Sequence, residues 1–315
     1  KYDVILIGIT RQGEWRRYYG SPGQIADDVW TDSGVCVPAL ISPSRDVHGL
    51  IEFTDGSAKT TRLDVVFPVL HGKNGEDGTV QGLLELAGIP FVGCKTLSSA
   101  ICMDKDIAHK IVGLAGIQTP PSIVLRHRVA EEKLMLLTDK LTCPLFVKPV
   151  NGGSSCGITK VMDKNELPEA VKAAFHHDSR VIIEEEIEGF EVGCAVLGND
   201  SLILGEVDEI ELTKGFLDYK EKYTLKTTTV YMPARIDQDT AQRVKQTAVL
   251  IYQALHCSGL ARVDLFLTPE NEIVFNEVNT IPGFTSHSRY PTMLKGIGMT
   301  VPNIIDSLIK LAMNQ

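Results

Sequence analysis

The sequence lacks any apolar run near the ~20 residues that a membrane-crossing helix needs, and no signal-peptide pattern is visible in it. It has no CxxC pair and no cysteine–histidine spacing suited to zinc. Repeats and low-complexity tracts are missing as well. Basic residues are in deficit: 31 Lys and Arg stand against 40 Asp and Glu, a formal net charge of −9. That balance excludes a general nucleic-acid or anionic-membrane binder, but a local cluster of Lys and Arg can still hold a phosphate. The seven cysteines are odd in number and scattered, which reads as reduced, mostly buried thiols of a cytoplasmic protein.

What is present is a chain of 315 residues, long enough for two or three domains, in which strand and helix patterns alternate. "KYDVILIGIT" reads as a buried parallel strand, followed by a polar, turn-rich stretch over 11–62. "LDVVFPVLHG" (63–72) and "IPFVGC" (89–94) read as further strands around a helix at 79–88, a doubly wound pattern. The spacing predicts a helix over 98–116, started by Ser98 or Ser99 and ended by Gly116. Strands are predicted at 143–150, 158–163 and 180–187, with a helix at 164–177. "EVGCAVLG" and "LILGEVDEIEL" suggest an antiparallel meander, 214–229 a long polar loop, and 239–256 and 302–313 amphipathic helices.

The most informative stretch is "LARVDLFL" (260–267), the turn residues "TPEN", then "EIVFNEVN" (272–279). A hairpin loop centred between Glu270 and Asn271 sets Asp264 opposite Glu277. Side chains alternate along a strand, so Arg262, Asp264 and Phe266 share one face, and Glu277 and Asn279 share the facing one. Two carboxylates directly opposite each other repel unless a cation lies between them. Two carboxylates and an amide oxygen are hard donors, which suits Mg²⁺ or Mn²⁺ better than zinc. A solvated sheet face with unconnected charges is the bland alternative, and it accounts poorly for Arg-x-Asp facing Glu-x-Asn.

In "FVKPVNGGSSCG", Lys148 ends a strand and a Gly/Ser loop follows. Successive backbone N–H groups in such a loop make an anion-binding concavity, and Ser154 and Ser155 add hydroxyl donors. It is not a Walker A loop, because the lysine precedes the glycines. Lys105 in "CMDKD" is a candidate second cation. "IIEEEI" followed by Glu191 offers acceptors for an adenine and a ribose. Taken singly, a glycine turn, a helix lysine and a Glu run are each more often plain surface.

Together the segments "LHGKNGEDGTVQG", "CMDKD", "FVKPVNGGSSCG", "DYKEKY", "ARVDLF" and "NEVNTIPGFTSHSRYP" resemble the D-alanine–D-alanine ligase family of the ATP-grasp superfamily. They run in order across almost the whole chain and are jointly highly specific. "VGCAVLG" and the arginine at 289 resemble the vancomycin-resistance branch more closely still. The resemblance implies an α/β fold with α+β elements: an ATP-grasp fold with an N-terminal doubly wound domain and two ATP-grasp subdomains with antiparallel sheets. The expected boundaries are 1–97, 98–187 and 188–315.

The reaction it implies is phosphorylation of the D-alanine carboxylate by ATP, followed by attack of a second D-amino acid on the acyl phosphate. By the same resemblance Asp264, Glu277 and Asn279 hold Mg²⁺ against the ATP phosphates, and Lys105 and Lys148 neutralise phosphate charge. Arg262 and the Gly283 N–H face the oxyanion of the tetrahedral species, and Ser288 binds the carboxylate of the second substrate. Glu184, Ile187, Glu191 and Phe266 belong to the nucleotide site, and His71 and Glu76 to the substrate site. Residues 214–229 correspond to the family's lid, with Lys222 and Tyr223 as its Lys-Tyr pair and Tyr223 close to Ser154. That pair implies an amine nucleophile and a dipeptide product, and with the vancomycin-branch features it resembles the D-alanine–D-serine ligases. Arg289 influences the second substrate or merely supports its loop. A homodimer is the family's common state.

Two departures stand out. Family members begin with a further strand, a Gly-rich turn and a Ser-x-Glu whose Glu binds the first D-alanine, whereas "KYDVILIGIT" matches their second strand. An uncovered sheet edge is a liability, so the expectation is that this piece precedes Lys1, and that a chain truly without it is inactive. Gly152 also stands where the family tends to carry a larger residue. The readings weighed against a D-alanine–D-serine ligase are a D-alanine–D-alanine ligase, a non-catalytic nucleotide-binding module and an ATP-grasp ligase for unrelated substrates.

Overall fold

Thr10 accepts from Gly13 N and donates its own N–H to Glu14 O, a turn that Gly13 closes at φ 86°. It folds β1 (Leu6–Ile9) back on β2 (Trp15–Tyr18) as an antiparallel hairpin. The computed structural model describes residues 1–32, 34–152, 157–212, 228–285 and 287–314. The chain divides into two compact units, Lys1–Val66 with Gly82–Phe91, and Phe67–Gln81 with Val92–Gln315.

In the first unit, α1 (Pro22–Ala26) follows β2, and β3 (Cys36–Ile41), β4 (Gly49–Thr54) and β5 (Ser57–Arg62) continue the sheet in chain order. The pairings within this five-stranded sheet are antiparallel. The parallel, buried strand read into the first ten residues is therefore corrected: β1 is a half-buried edge strand. An apolar run does not encode direction; the tight turn at Gly13 does. The turn-rich stretch 11–62 holds four strands, with Asp55-Gly56 turning β4 into β5 (Gly56 φ 73°). The two strands expected at 63–72 and 89–94 reduce to one parallel bridge, Val66 with Phe91. Pro68 and Pro90 lack the N–H that a longer ladder needs. The helix between them is α2 (Thr79–Ala87), as predicted.

The predicted helix over 98–116 is two helices, α3 (Thr96–Met103) and α4 (Lys105–Leu114). Asp104 is extended (φ −90°, ψ 99°) and caps α4 by accepting from Ile107 N. Ser98 and Ser99 are not caps; they are buried within α3. Gly116 at φ 83° ends the pair as expected. An antiparallel sheet follows in the order β6-β9-β7-β8, formed by β6 (Ser122–Leu125), β7 (Leu145–Pro149), β8 (Thr159–Val161) and β9 (Val181–Glu185). Leu134 of α5 (Glu131–Leu137) and Leu167, Ala170, Val171 and Ala174 of α6 (Leu167–Ala174) pack on its Leu145, Val147, Val161 and Ile183.

The last sheet runs β13-β12-β10-β14-β15, with β11 paired on β10. Its strands are β10 (Phe190–Gly198), β11 (Leu202–Leu204), β12 (Asp208–Leu212), β13 (Thr228–Tyr231), β14 (Leu260–Leu267) and β15 (Ile273–Asn279). The helix α7 (Gln238–Ala254) is capped by Asp237, which accepts from Thr240 N. It buries Val244, Ala248 and Ile251, at four- and three-residue steps, against Cys194, Val196 and Val263. Val244 and Ile251 contribute about 1.5–3 kcal/mol each, and Ala248 less. The C-terminal helices are α8 (Arg289–Gly296) and α9 (Val301–Met313).

The α/β class and the antiparallel sheets are as the sequence predicted. Among the described residues six cysteines are free thiols, and no helix is long and apolar enough to cross a membrane.

Candidate active site

The hairpin β14–β15 has the predicted partnering at its functional end: Asp264 faces Glu277 and Arg262 faces Asn279. The route to it differs. Near the turn the pairs are Leu267–Ile273 and Leu265–Phe275, a register that would set Asp264 against Asn276. A bulge between Asp264 and Leu265 absorbs Asn276 as the extra residue and restores Glu277 to the face of Asp264.

Asp264 is 1% exposed, and its charge is met from several sides. Arg262 Nε donates to both carboxylate oxygens (2.8 and 3.1 Å), and Nη2 donates to Oδ2 (2.7 Å). Asn279 Nδ2 donates to the same Oδ2 (2.8 Å), and Arg289 Nη1 lies 3.4 Å from Oδ1. Arg289 in turn grips Asp208 as a two-toothed fork, Nε and Nη2 each at 2.7 Å, and gives Nη1 to Glu191 at 2.8 Å. Two guanidiniums thus face the three carboxylates of Asp208, Asp264 and Glu191, and Glu277 brings a fourth.

Among the described residues no group of three His, Cys, Asp or Glu could hold a metal ion. The hairpin offers two carboxylates completed by an amide, and this hard-oxygen set fits a divalent cation. Asn279 would have to turn its oxygen, in place of the amide nitrogen, toward the ion.

A cavity of 720 Å³ opens above this network. Arg262, Glu277, Asn279 and Arg289 line one wall, with Gly283 and Ser288 beside them. Ser288 Oγ accepts from Thr285 N at 2.9 Å, and a Cβ on Gly283 would come within 2.8 Å of it, so residue 283 must be small here. His71, Glu76, Lys105 and Glu191 complete the predicted residues that the cavity gathers. His71 Nδ1 is 4.0 Å from Glu76 Oε1, and Glu76 Oε2 accepts from Gly72 N. Lys105 Nζ donates to Gly152 O at 2.6 Å.

Lys148 and Glu184 do not line that cavity. They pair with each other on β7 and β9 at 2.5 Å. Ile187 follows β9, and Phe266 is the strand partner of Glu191. Ser154, Ser155, Lys222 and Tyr223 lie outside the described residues.

Burial pushes the Glu184 carboxyl up, but the Lys148 charge above all holds it below its ordinary 4.5. A carboxyl lowered on folding stabilises the fold above its unfolded value, and that gain is lost as pH falls through the folded value. The stability gap between the parent and E184Q in urea should therefore be wide above pH 4.5 and narrow as pH falls below it. A gap independent of pH would refute the pairing as a source of stability.

Three residues escaped the sequence reading. Asp208 sits at the start of β12, 1% exposed and facing Gly193 of β10. Gly193 leaves the space for the fork: a Cβ there would meet Arg289 Nη2 at 2.4 Å and Asp208 Oδ1 at 2.7 Å. A glycine inside the apolar strand "EVGCAV" was the available signal of that close approach. His109 is buried on α4 one turn beyond Lys105, and its sequence context gave no sign of it.

Residues 1–94 match the family described as D-ala D-ala ligase N-terminus, and residues 111–310 that described as D-ala D-ala ligase C-terminus. Vancomycin B-type resistance protein VanB of Enterococcus faecalis is 46% identical over all of this chain and 90% of its own length. A D-alanine–D-alanine ligase of Caldicellulosiruptor bescii is 43% identical over all of this chain and 87% of its own. Among solved structures, the VanG D-Ala:D-Ser ligase of E. faecalis superimposes with a TM-score of 0.90 at 59% identity, covering 98% of this chain and 90% of that one.

Proposed function

The chain belongs to the D-alanine–D-alanine ligase family of ATP-dependent ligases, and we propose that it joins D-alanine to D-serine. The dipeptide would enter peptidoglycan precursors and confer vancomycin resistance. The observation that carries this reading is Arg289, held by Asp208 and Glu191 in the wall of the same cavity as Ser288. Arginine has five N–H groups. Nε and one N–H of Nη2 go to Asp208, and Nη1 serves Glu191 and faces Asp264. The remaining Nη2 N–H would then be the donor to a serine hydroxyl, and a site built to bond a hydroxyl discriminates far better than one that merely leaves room for it.

In this reading Lys105 and Lys148 hold the phosphates of ATP, with Ser154 and Ser155. Glu184, Ile187, Glu191 and Phe266 hold the nucleoside, and His71 and Glu76 stand beside the first D-alanine. The D-alanine carboxylate attacks the γ-phosphate, and ADP leaves. The amine of D-serine, its carboxylate on Ser288, then attacks the acyl phosphate, and inorganic phosphate departs. Arg262 and the Gly283 N–H stabilise the oxyanion between those events; a donor of this kind is worth about 10²–10³ in rate. Asp264, Glu277 and Asn279 are the ligands for Mg²⁺ or Mn²⁺, whose charge would polarise the transferring phosphoryl group. Lys222 and Tyr223 would serve to keep water from the acyl phosphate, which it would otherwise hydrolyse. The three-part division at 97/98 and 187/188, a cytoplasmic location and a homodimer belong to the same proposal.

Equal D-alanine and D-serine with limiting ATP, assayed across a pH series, should yield mainly D-alanyl-D-serine. A persistent excess of D-alanyl-D-alanine would assign the chain to the reaction named for the C. bescii relative instead.

A further inference from the structure

Glu184 is 2% exposed and accepts from Lys148 Nζ at Oε2, while its Oε1 has no hydrogen-bond partner among the described residues. The polar atom facing that oxygen is Nδ1 of His109, 3.7 Å away, which likewise has no hydrogen-bond partner among them. The other ring nitrogen, Nε2, is 3.2 Å from the carbonyl oxygen of Asn276. Asn276 is the extra residue of the bulge, so its carbonyl lies where the sheet ladder is broken, one residue before Glu277. Phe275 meets the imidazole edge-to-face at 5.5 Å and fixes its plane. An α4 side chain therefore spans the two sheets, touching the carboxylate that holds Lys148 on one side and the bulge on the other.

Burial, reinforced by Lys148 and Lys105, keeps the imidazole neutral against the pull of Glu184. A neutral ring has one proton, and with it on Nε2 the ring donates to Asn276 O. Nδ1 then packs against Glu184 without bonding to it, which confines the carboxylate to the orientation that grips Lys148.

We propose that His109 is a positioning residue of the nucleotide site, holding Glu184, and through it the Lys148 ammonium, in a fixed relation to the bulge that sets Glu277. The role rests on the reading of Lys148 and Glu184 as nucleotide-binding residues. It predicts an effect on ATP that the D-amino acids do not share.

The experiment compares H109L, H109N and H109Q by ATP calorimetry without amino acids and by steady-state kinetics. H109Q keeps an N–H near the Nε2 position, toward Asn276 O; H109N reaches only the Nδ1 position. H109L and H109N should weaken ATP binding and raise its KM about tenfold, the worth of one well-placed contact, with kcat and the D-amino-acid KM values within about twofold. H109Q should stay within about threefold of the parent for ATP. Parent-like ATP affinity in a folded H109L, or equal losses in H109N and H109Q, would overturn the proposal; the second comparison decides if H109L does not fold. A parent that binds ATP but makes no dipeptide would sink the ligase reading alone, because calorimetry still reports on His109.

Discussion

An E277Q enzyme should lose about 10²–10³-fold in kcat while its unfolding free energy stays within about 1 kcal/mol of the parent's. Glutamine keeps the shape of the side chain and removes its charge. Glu277 is half-buried on the cavity wall, so folding does not depend on its ionisation as it does for a sealed carboxylate. The same exchange at Asp264 would be ambiguous. Asp264 is sealed and accepts three N–H contacts from Arg262, so an asparagine there would turn an amide N–H toward a guanidinium. Residue 277 is thus the position that separates catalysis from stability. If Glu277 ligates the divalent ion, raising Mg²⁺ should recover part of the rate in E277Q and leave the parent unchanged. Parent-like turnover in E277Q at ordinary Mg²⁺ would remove the metal role of the hairpin.

The hairpin also shows how far the sequence could be read. Alternation along 260–267 and 272–279 placed Arg262, Asp264, Glu277 and Asn279 together, and the structure has those pairs. The bulge at Asn276 was invisible, because nothing in "VFNEV" distinguishes a residue that pairs from one that is squeezed out of the ladder. Chain direction was likewise illegible at residues 1–10, where the pattern of burial is the same for either sense and the turn at Gly13 decides. At Asp104 a continuous helical spacing concealed a break, since the aspartate that caps α4 does not disturb the apolar period on either side of it. The Arg289 network escaped for a different reason. Asp208, Glu191 and Arg289 come from three separated segments, and apart from the glycine at 193 no local pattern announces that they will meet.

That network makes Arg289 a residue whose removal should cost the fold heavily. In R289L the Asp208 carboxylate, 1% exposed, loses the fork that neutralises it, and Glu191 loses its Nη1 contact. Breaking one side of a buried ion pair costs about 3–5 kcal/mol, far more than an exposed pair returns. R289L should therefore unfold at markedly lower urea, by about that amount. Removing the stranded charge as well, in D208L/R289L, should restore much of the loss, because an apolar pair of similar volume needs no counter-charge. Recovery stays incomplete, since Glu191 and Asp264 keep their charges. The double variant also separates two roles of Arg289. If the arginine only supports its loop, a refolded D208L/R289L enzyme keeps the D-serine preference; if its free N–H reads the hydroxyl, stability returns and the preference does not. An R289L protein within about 1 kcal/mol of the parent would show that Asp208 does not depend on the fork, and the charge network would lose its place in the account of both stability and specificity.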